Sequence, residues 1–461
     1  MKLSSLLLFA AASLLLLTSA SARTRPQYGG TLRVEMRAAP ATLDPTESEK
    51  FGPNATAQSR LTPLVFDTLV TLNDNNQPIA RLAIAWKHDA AYKQWDFTLR
   101  PGVTFSDDEP LTAATVSESL SRSGPGWKVR IIGDGVRIES EEPLPELLTE
   151  LSVPRHAIVW RADKVLTGTG PFRIESFTAG QRAVFVANPS YWAGRPFVDR
   201  IEVQFNRNAR DQQVDLQVGR ADISEVPSDQ LRRALSDSSL RAIASPPIEL
   251  LAVVFDESRS KDDDARLREA IAATVDRNAI ANLLLQRQAE PAYGLLPQWI
   301  GGYEHVFRAS PDKTQRWTVK GAAATQSITL MYDFQDLAAK AAAERVVAGA
   351  REIGVPLQAV GENLAQREGN ADMRVVRVAI PSGEAGAALE TMAAELGLPA
   401  VSAAATIGQD YELERSLLES RRVIPVVHLP AAYSASARVR NWRVHRDGSL
   451  PLADLWLEAA P

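Results

Sequence analysis

Apolar and polar positions alternate along much of this chain, as they do in strands that bury one face. Leu32, Val34 and Met36 alternate with Arg33 and Glu35. Trp95, Phe97 and Leu99 follow the same rule before Pro101-Gly102 turns the chain toward Val103 and Phe105. Val129/Ile131 and Val136/Ile138 flank Gly133-Asp134-Gly135, a hairpin whose turn suits positive φ angles. Ile201, Val203 and Phe205 form another alternating strand, whereas Leu250 to Phe255 is a continuous apolar run, as in a buried strand. Helical spacing appears elsewhere. Thr112 is placed to cap a helix bearing Val116 and Leu120; Leu267, Ala270, Ile271 and Val275 share one helix face; Asp276 opens a helix with Ile280, Leu283 and Leu284. Residues 328–360 read as strand, helix and strand, with Gly354 as a left-handed stop, so the two strands are expected to be parallel. Val375 to Ile380, a helix after Ser382, and Val423 to Leu429 extend that unit. Residues 66–164 read as a small, sheet-rich subdomain.

The first residues change the setting of this pattern. Lys2, the apolar stretch Leu6 to Leu17 broken only by Ser13, and Ala20-Ser21-Ala22 have the form of a secretory leader over 1–22. The stretch is too short for the roughly 20 residues of a spanning helix, so cleavage before Arg23 and release into the periplasm are expected. The chain has no cysteine, which excludes disulfides, thiolate nucleophiles and a lipid-modified cysteine anchor. Its formal net charge of −5 argues against a nucleic-acid partner.

Catalytic and metal chemistry find little support. His88, His156, His305, His428 and His445 are never three or four residues apart. There is no Gly-x-Ser-x-Gly elbow and no dinucleotide fingerprint, and Gly168 and Gly170 beside Pro171 lack the spacing of a phosphate loop. The carboxylates are spread without a nameable pair. No cofactor is expected, and the chain does not read as an enzyme.

Tyr28-Gly29-Gly30-Thr31-Leu32-Arg33-Val34, Ala41 to Pro45, Leu64 to Val70, Leu82 to Trp86, Phe97 to Phe105 and Pro110 to Val116 follow one another in a telling order. They resemble the opening of the periplasmic solute-binding proteins of the peptide/nickel type, the family 5 receptors of ABC importers. Gly168-Thr169-Gly170-Pro171-Phe172, Gly219 to Ile223, Arg266 to Ile271 with Asp276-Arg277, and Arg438 to Trp442 resemble later elements of that family. The likeness weakens from 299 to 420, and the Gly-Trp-x-x-Asp motif of peptide-binding members is absent between Met373 and Tyr411.

The resemblance implies an α/β, two-lobed periplasmic binding fold, type II-like, with an extra subdomain on lobe one. Lobe one would take 23–65, 165–249 and 431–461, the subdomain 66–164, and lobe two 250–430. The chain would cross between lobes near Val253–Asp256 and His428–Tyr433, making Phe255 and His428 candidate contacts, with core packing and a structural role as the other readings. The loop after Leu43-Asp44-Pro45 faces the ligand in the family, which nominates Glu47, for an ammonium group, and Asn54. Trp299 is a candidate pocket aromatic, and Glu384 lies where open α/β sheets commonly bind. The implied role is capture of a peptide or other small organic solute for an ABC permease, by a monomer. A periplasmic sensor or partner-binding module is the alternative. A secreted hydrolase is a third reading, for which no nucleophile and base can be named.

Overall fold

The computed structural model describes residues 25–47, 53–124, 126–162, 165–237, 241–259, 264–308, 327–362, 371–380, 383–401 and 407–458. The expected leader, Ser382 and most of the charged 261–264 stretch lie outside them.

One large mixed sheet organises the chain. Ten of its eleven strands are β1 (Thr31–Glu35), β2 (Phe172–Thr178), β3 (Arg182–Ala187), β4 (Arg200–Gln204), β5 (Ile223–Glu225), β6 (Ile243–Phe255), β7 (Ile328–Asp333), β8 (Leu357–Glu362), β9 (Met373–Ala379) and β10 (Val423–Ala435), and the short Glu290–Pro291 pairs with β10. In space the order is β2-β3-β4-β1-β5-β10-β6-β9-β7-β8. β1 lies parallel to β4 and β5, and β7 parallel to β8 and β9. The parallel β7–β8 pair, joined by a helix ending before Gly354 at φ 81°, is the one its spacing predicts.

The two long strands join the halves. One end of β10 pairs with β5, while the other end of β6 pairs with β9. Between them the β6–β10 register slips around Ala244 to Glu249, where Pro246, Pro247 and Pro430 interrupt the ladder. Proline has no N–H to give, so pairing is weakest there. The expected crossing at Val253–Asp256 is therefore displaced: Val253 and Val254 pair on both sides, within the second lobe.

Alternate residues of β6 feed opposite cores. Leu251, Val253 and Phe255 meet α4 (Leu337–Glu352) on one face, and Leu250 and Ala252 meet α5 (Ala385–Glu395) and α6 (Ile407–Glu419) on the other. Burial on both faces is why this strand reads as an unbroken apolar run. The first lobe packs α1 (Pro53–Val65) on its sheet through Ala57, Leu61, Leu64 and Val65, with α3 (Ala209–Gln217) leading to β5. The small subdomain is a four-stranded antiparallel sheet covered by α2 (Ala113–Ser123), whose Thr112 cap pairs reciprocally with Thr115.

The recurring motifs meet in space as fasteners. Asp67, 1% exposed, accepts hydrogen bonds from Arg81 (2.6 Å), Thr169 (2.9 Å) and the Trp192 indole (2.9 Å). Asp222 accepts from the Arg33 amide (2.9 Å) and from two nitrogens of Arg438 (2.6 and 2.7 Å). Each carboxylate ties together segments distant in sequence, and a buried carboxylate is stable only when bonded this fully.

Candidate functional site

The C-terminal ends of parallel strands from both lobes face one another, the place where open α/β sheets bind. Arg37 follows β1 and Glu225 ends β5 on one side; Asp333 ends β7 and Asp336 caps α4 on the other. The charge of Arg37 reaches the Asp333 and Asp336 carboxyls across the gap.

Six residues form an alternating ladder through this cleft. The Asp336 carboxylate takes a two-pronged contact from Arg377 Nε and Nη2, both 2.8 Å. Arg377 Nη1 donates to Glu249 at 2.7 Å, and Glu249 lies 3.7 Å from Arg60. Arg60 Nη1 donates to Glu225 at 3.2 Å, and Glu225 accepts from the Arg37 amide (2.9 Å) and Nε (3.1 Å). Tyr433 lies beneath Arg60, its ring centre 5.7 Å from the guanidinium, and its hydroxyl donates to the Gly448 carbonyl at 2.9 Å. Except for Arg37 the ladder side chains are 9–18% exposed.

Mutual pairing favours the charged forms of Arg60, Arg377, Glu225 and Asp336. Burial opposes the charge on Arg60 and on Arg377, but their partners lift both guanidiniums above the ordinary value. Burial raises the carboxyls of Glu225 and Asp336, yet the facing arginines bring both below the usual range. Asp229 and Asp333, at the rim, are raised by burial, with Asp336 adding to it. A charge-lined cleft with such low exposure strengthens the polar contacts made inside it.

The residues nominated from sequence fall elsewhere. Phe255 is 2% exposed and packs in the core beside Leu267 and Met373, in the paired part of β6. His428 is 1% exposed on β10 and donates from Nε2 to the Leu295 carbonyl at 2.9 Å. Burial pushes its pKa down to about 4, so the ring is neutral, and it faces protein. Trp299 donates its indole N–H to the Pro247 carbonyl at 2.7 Å and packs with Ile248, Ala431 and Tyr433, against the register slip between the lobes. Glu384 caps α5, accepting from the Gly386 (3.2 Å) and Ala387 (2.7 Å) amides. Asn54 accepts from the Ala39 amide at 3.3 Å, which steadies the start of α1 six residues before Arg60. Glu47 ends a short turn and is exposed.

Reasoning from sequence missed Arg60, Glu249 and Arg377. A signal was present: Arg377 interrupts the apolar strand Val375 to Ile380, and Glu249 stands against the run from Leu250. Charges embedded in buried strands need partners.

Two lobes, linked through paired long strands and closing on a charged cleft, define the architecture of a binding protein. Residues 77–125 and 133–397 match the family model described as bacterial extracellular solute-binding proteins, family 5 Middle. The chain belongs to that family. Among curated relatives, the probable D,D-dipeptide-binding periplasmic protein DdpA of Escherichia coli is 25% identical over 286 residues, 55% of each chain. The nickel-binding periplasmic protein of the same organism is 23% identical over 370 residues, 70% of each. The chain thus aligns with about half of the first relative's length and more of the second's. Two solved structures share the fold. NikA from Brucella suis with Fe(III)-EDTA has a TM-score of 0.74 at 21% identity, and covers 93% of this chain and 100% of its own. A dipeptide binding protein from Pseudoalteromonas sp. SM9913 with Met-Leu has a TM-score of 0.77 at 16% identity, with the same coverage.

Proposed function

We propose that this protein is the solute-capturing component of an ABC importer, taking a peptide or another small organic solute between its lobes and delivering it to a membrane permease. The supporting observation is the ladder itself: arginines and carboxylates from both lobes converge where the C-terminal ends of parallel strands meet. Such a surface recognises a polar solute by hydrogen bonds and closes on it because the ligand binds the closed form better. The family is one of extracellular solute-binding proteins, and relatives carry names for dipeptide and nickel binding. The reading is of binding and not catalysis, by a monomer. Export would proceed through a leader over 1–22 cleaved before Arg23; no helix among the described residues is long and apolar enough to cross a membrane.

Native mass spectrometry of protein purified from the periplasm, followed by thermal-shift screening, tests this. A captured solute should appear as a discrete added mass, and the polypeptide mass should begin at Arg23. A true solute at about a hundred times its Kd adds roughly 2.7 kcal/mol. If no small solute co-purifies or shifts melting across peptides, sugars and metal chelates, the carrier reading fails.

A further inference from the structure

A tight turn of the small subdomain touches both lobes. Residues 73–77 join the strands Val70–Leu72 and Pro78–Ala80, which pair as a hairpin rooted in the subdomain core by Leu69, Val70 and Leu82. Asn73 holds the turn in shape. Its Oδ1 accepts from the Asn75 (2.9 Å) and Gln77 (3.0 Å) amides, and its own amide donates to the Gln77 carbonyl at 3.0 Å. Asn76 stands at φ 58°, in the left-handed region that asparagine tolerates better than most residues. A turn fixed in this way loses little freedom when its tip is gripped, so contacts made there are not spent on ordering it.

Toward the second lobe, the Asn76 side chain donates to the Gly383 carbonyl at 2.9 Å, in the loop after β9. A Cβ on Gly383 would lie 2.4 Å from Asn76 Oδ1 and 2.5 Å from Nδ2, so glycine alone admits the approach. Toward the first lobe, Asp74 meets the turn from His445 to Ser449. Its Oδ1 lies 3.2 Å from His445 Nδ1, and its carbonyl accepts from Arg446 Nη1 at 3.4 Å. The chain on either side of that turn packs in the first-lobe core through Val439, Leu452 and Leu455. Arg446 also lies over the Trp299 ring, 5.7 Å from its centre, and Trp299 is itself bonded to the Pro247 carbonyl at the register slip. The subdomain turn, the C-terminal turn and two second-lobe residues thus meet beside the place where the lobes are joined.

We propose that the turn 73–77 is a clasp between the lobes, which biases the protein toward its closed form before any solute is present. Opening at the Pro246-Pro247 and Pro430 slip carries Gly383 away with the second lobe, while Asp74, His445 and Arg446 stay with the first. Asn76 is the residue that must let go. The clasp shares no residue with the ladder, so it sets the closing equilibrium without altering the recognition surface. Every solute that needs the closed form gains by the same factor, because its apparent affinity scales with the fraction already closed.

Single-molecule energy transfer on the ligand-free mature protein tests this. The chain has no cysteine, so Gln217→Cys in α3 and Glu352→Cys in α4 place one dye on each lobe at exposed positions. Losing one neutral hydrogen bond shifts an equilibrium about fivefold. Asn76→Gly keeps the left-handed backbone and removes the amide, and should raise the ratio of open to closed molecules by about that factor. Gly383→Ala pushes the Asn76 amide aside from the opposite face and should do the same. Because both break one bond, the double variant should open no further than either alone. A ratio unchanged in both variants, a single state in every protein, or effects that add in the double variant overturns the clasp. A folding defect in one variant leaves the other to decide. No solute enters the measurement, so its outcome is separate from that of the carrier reading.

Discussion

Replacing Arg377 by methionine would remove the cation that holds the second-lobe half of the ladder. Three short hydrogen bonds go with it, two to Asp336 at 2.8 Å and one to Glu249 at 2.7 Å. The two carboxylates left behind are each 13% exposed, so water screens them little. Asp336 keeps its bonds to the Ala338 (3.0 Å) and Ala339 (3.2 Å) amides, and Glu249 keeps Arg60 at 3.7 Å, which softens the loss. Breaking a buried ion pair from one side costs about 3–5 kcal/mol, and that is the expected loss at pH 7.5. Urea unfolding, followed by both fluorescence and far-ultraviolet dichroism, measures it; two probes are needed because lobes can unfold separately. The sign with pH is also fixed. The folded carboxyl of Asp336 lies below its ordinary value, so its contribution is present above the ordinary carboxylate range and lost as pH falls through the folded value. Arg377→Met removes the largest part of that lowering, leaving Arg37 and the Ala339 amide, so the gap between variant and wild type should narrow toward acid. A loss below about 1 kcal/mol at pH 7.5 would mean the pair behaves as a surface contact, and the ladder reading would be wrong.

Three further expectations follow from single groups. The folded pKa of His428 near 4 lies below the ordinary 6.5, so its contribution is full above 6.5 and lost as pH falls toward 4, by about 3 kcal/mol. His428→Gln should flatten that acid limb in denaturation curves taken across this range. Glu35 is the reverse case: burial first, then Asp215, push it up to about 7, so stability present below 4.5 is lost as pH rises through 7. Glu35→Gln should be more stable than wild type above pH 7 and little different at 4.5, as unfolding midpoints will show. Gly168→Ala would place a Cβ 1.8 Å from the Val65 carbonyl oxygen, and should cost about 2 kcal/mol or more through the backbone shift it forces.

Much of the scaffold was legible because its signals are local. The Thr112 cap, the Gly133–Gly135 turn, the Gly354 stop and the alternation in β1 are each decided by a few neighbouring residues. The doubly buried run in β6 was legible too, but not the point at which the chain passes between lobes, since prolines set that point by spoiling pairing with a strand far away in sequence. The site was less legible for the same reason. Arg377 and Glu249 are 128 residues apart, and Arg60 and Glu225 are 165 apart, so no local pattern announces either contact. Nominating residues by position along a strand favoured Phe255 and His428, whose faces turn out to point into protein. The better guide was chemical: a charge inside an apolar strand must be paired, and its partner marks where another element comes close.

The ladder also indicates where a proposed hinge would give way. Its rungs are unequal. Asp336, Arg377 and Glu249 are linked by bonds of 2.7–2.8 Å and all belong to the second-lobe side, while Arg60, Glu225 and Arg37 are linked at 2.9–3.2 Å on the first. The one rung joining the two triads, Arg60 to Glu249, is the longest at 3.7 Å. If the lobes part at the Pro246-Pro247 and Pro430 slip, each triad can stay intact while this rung, the exposed Asn76–Gly383 bond and the Arg446–Trp299 stacking contact break. A long ion pair of this kind is worth about 0–1 kcal/mol and an exposed neutral bond about 0.5–1.5 kcal/mol. Contacts of this size resist opening only weakly, and a solute that binds the closed form better shifts the balance toward it. Strong pairing within each lobe keeps the recognition surface in shape; weak pairing between them leaves the choice of state to the solute.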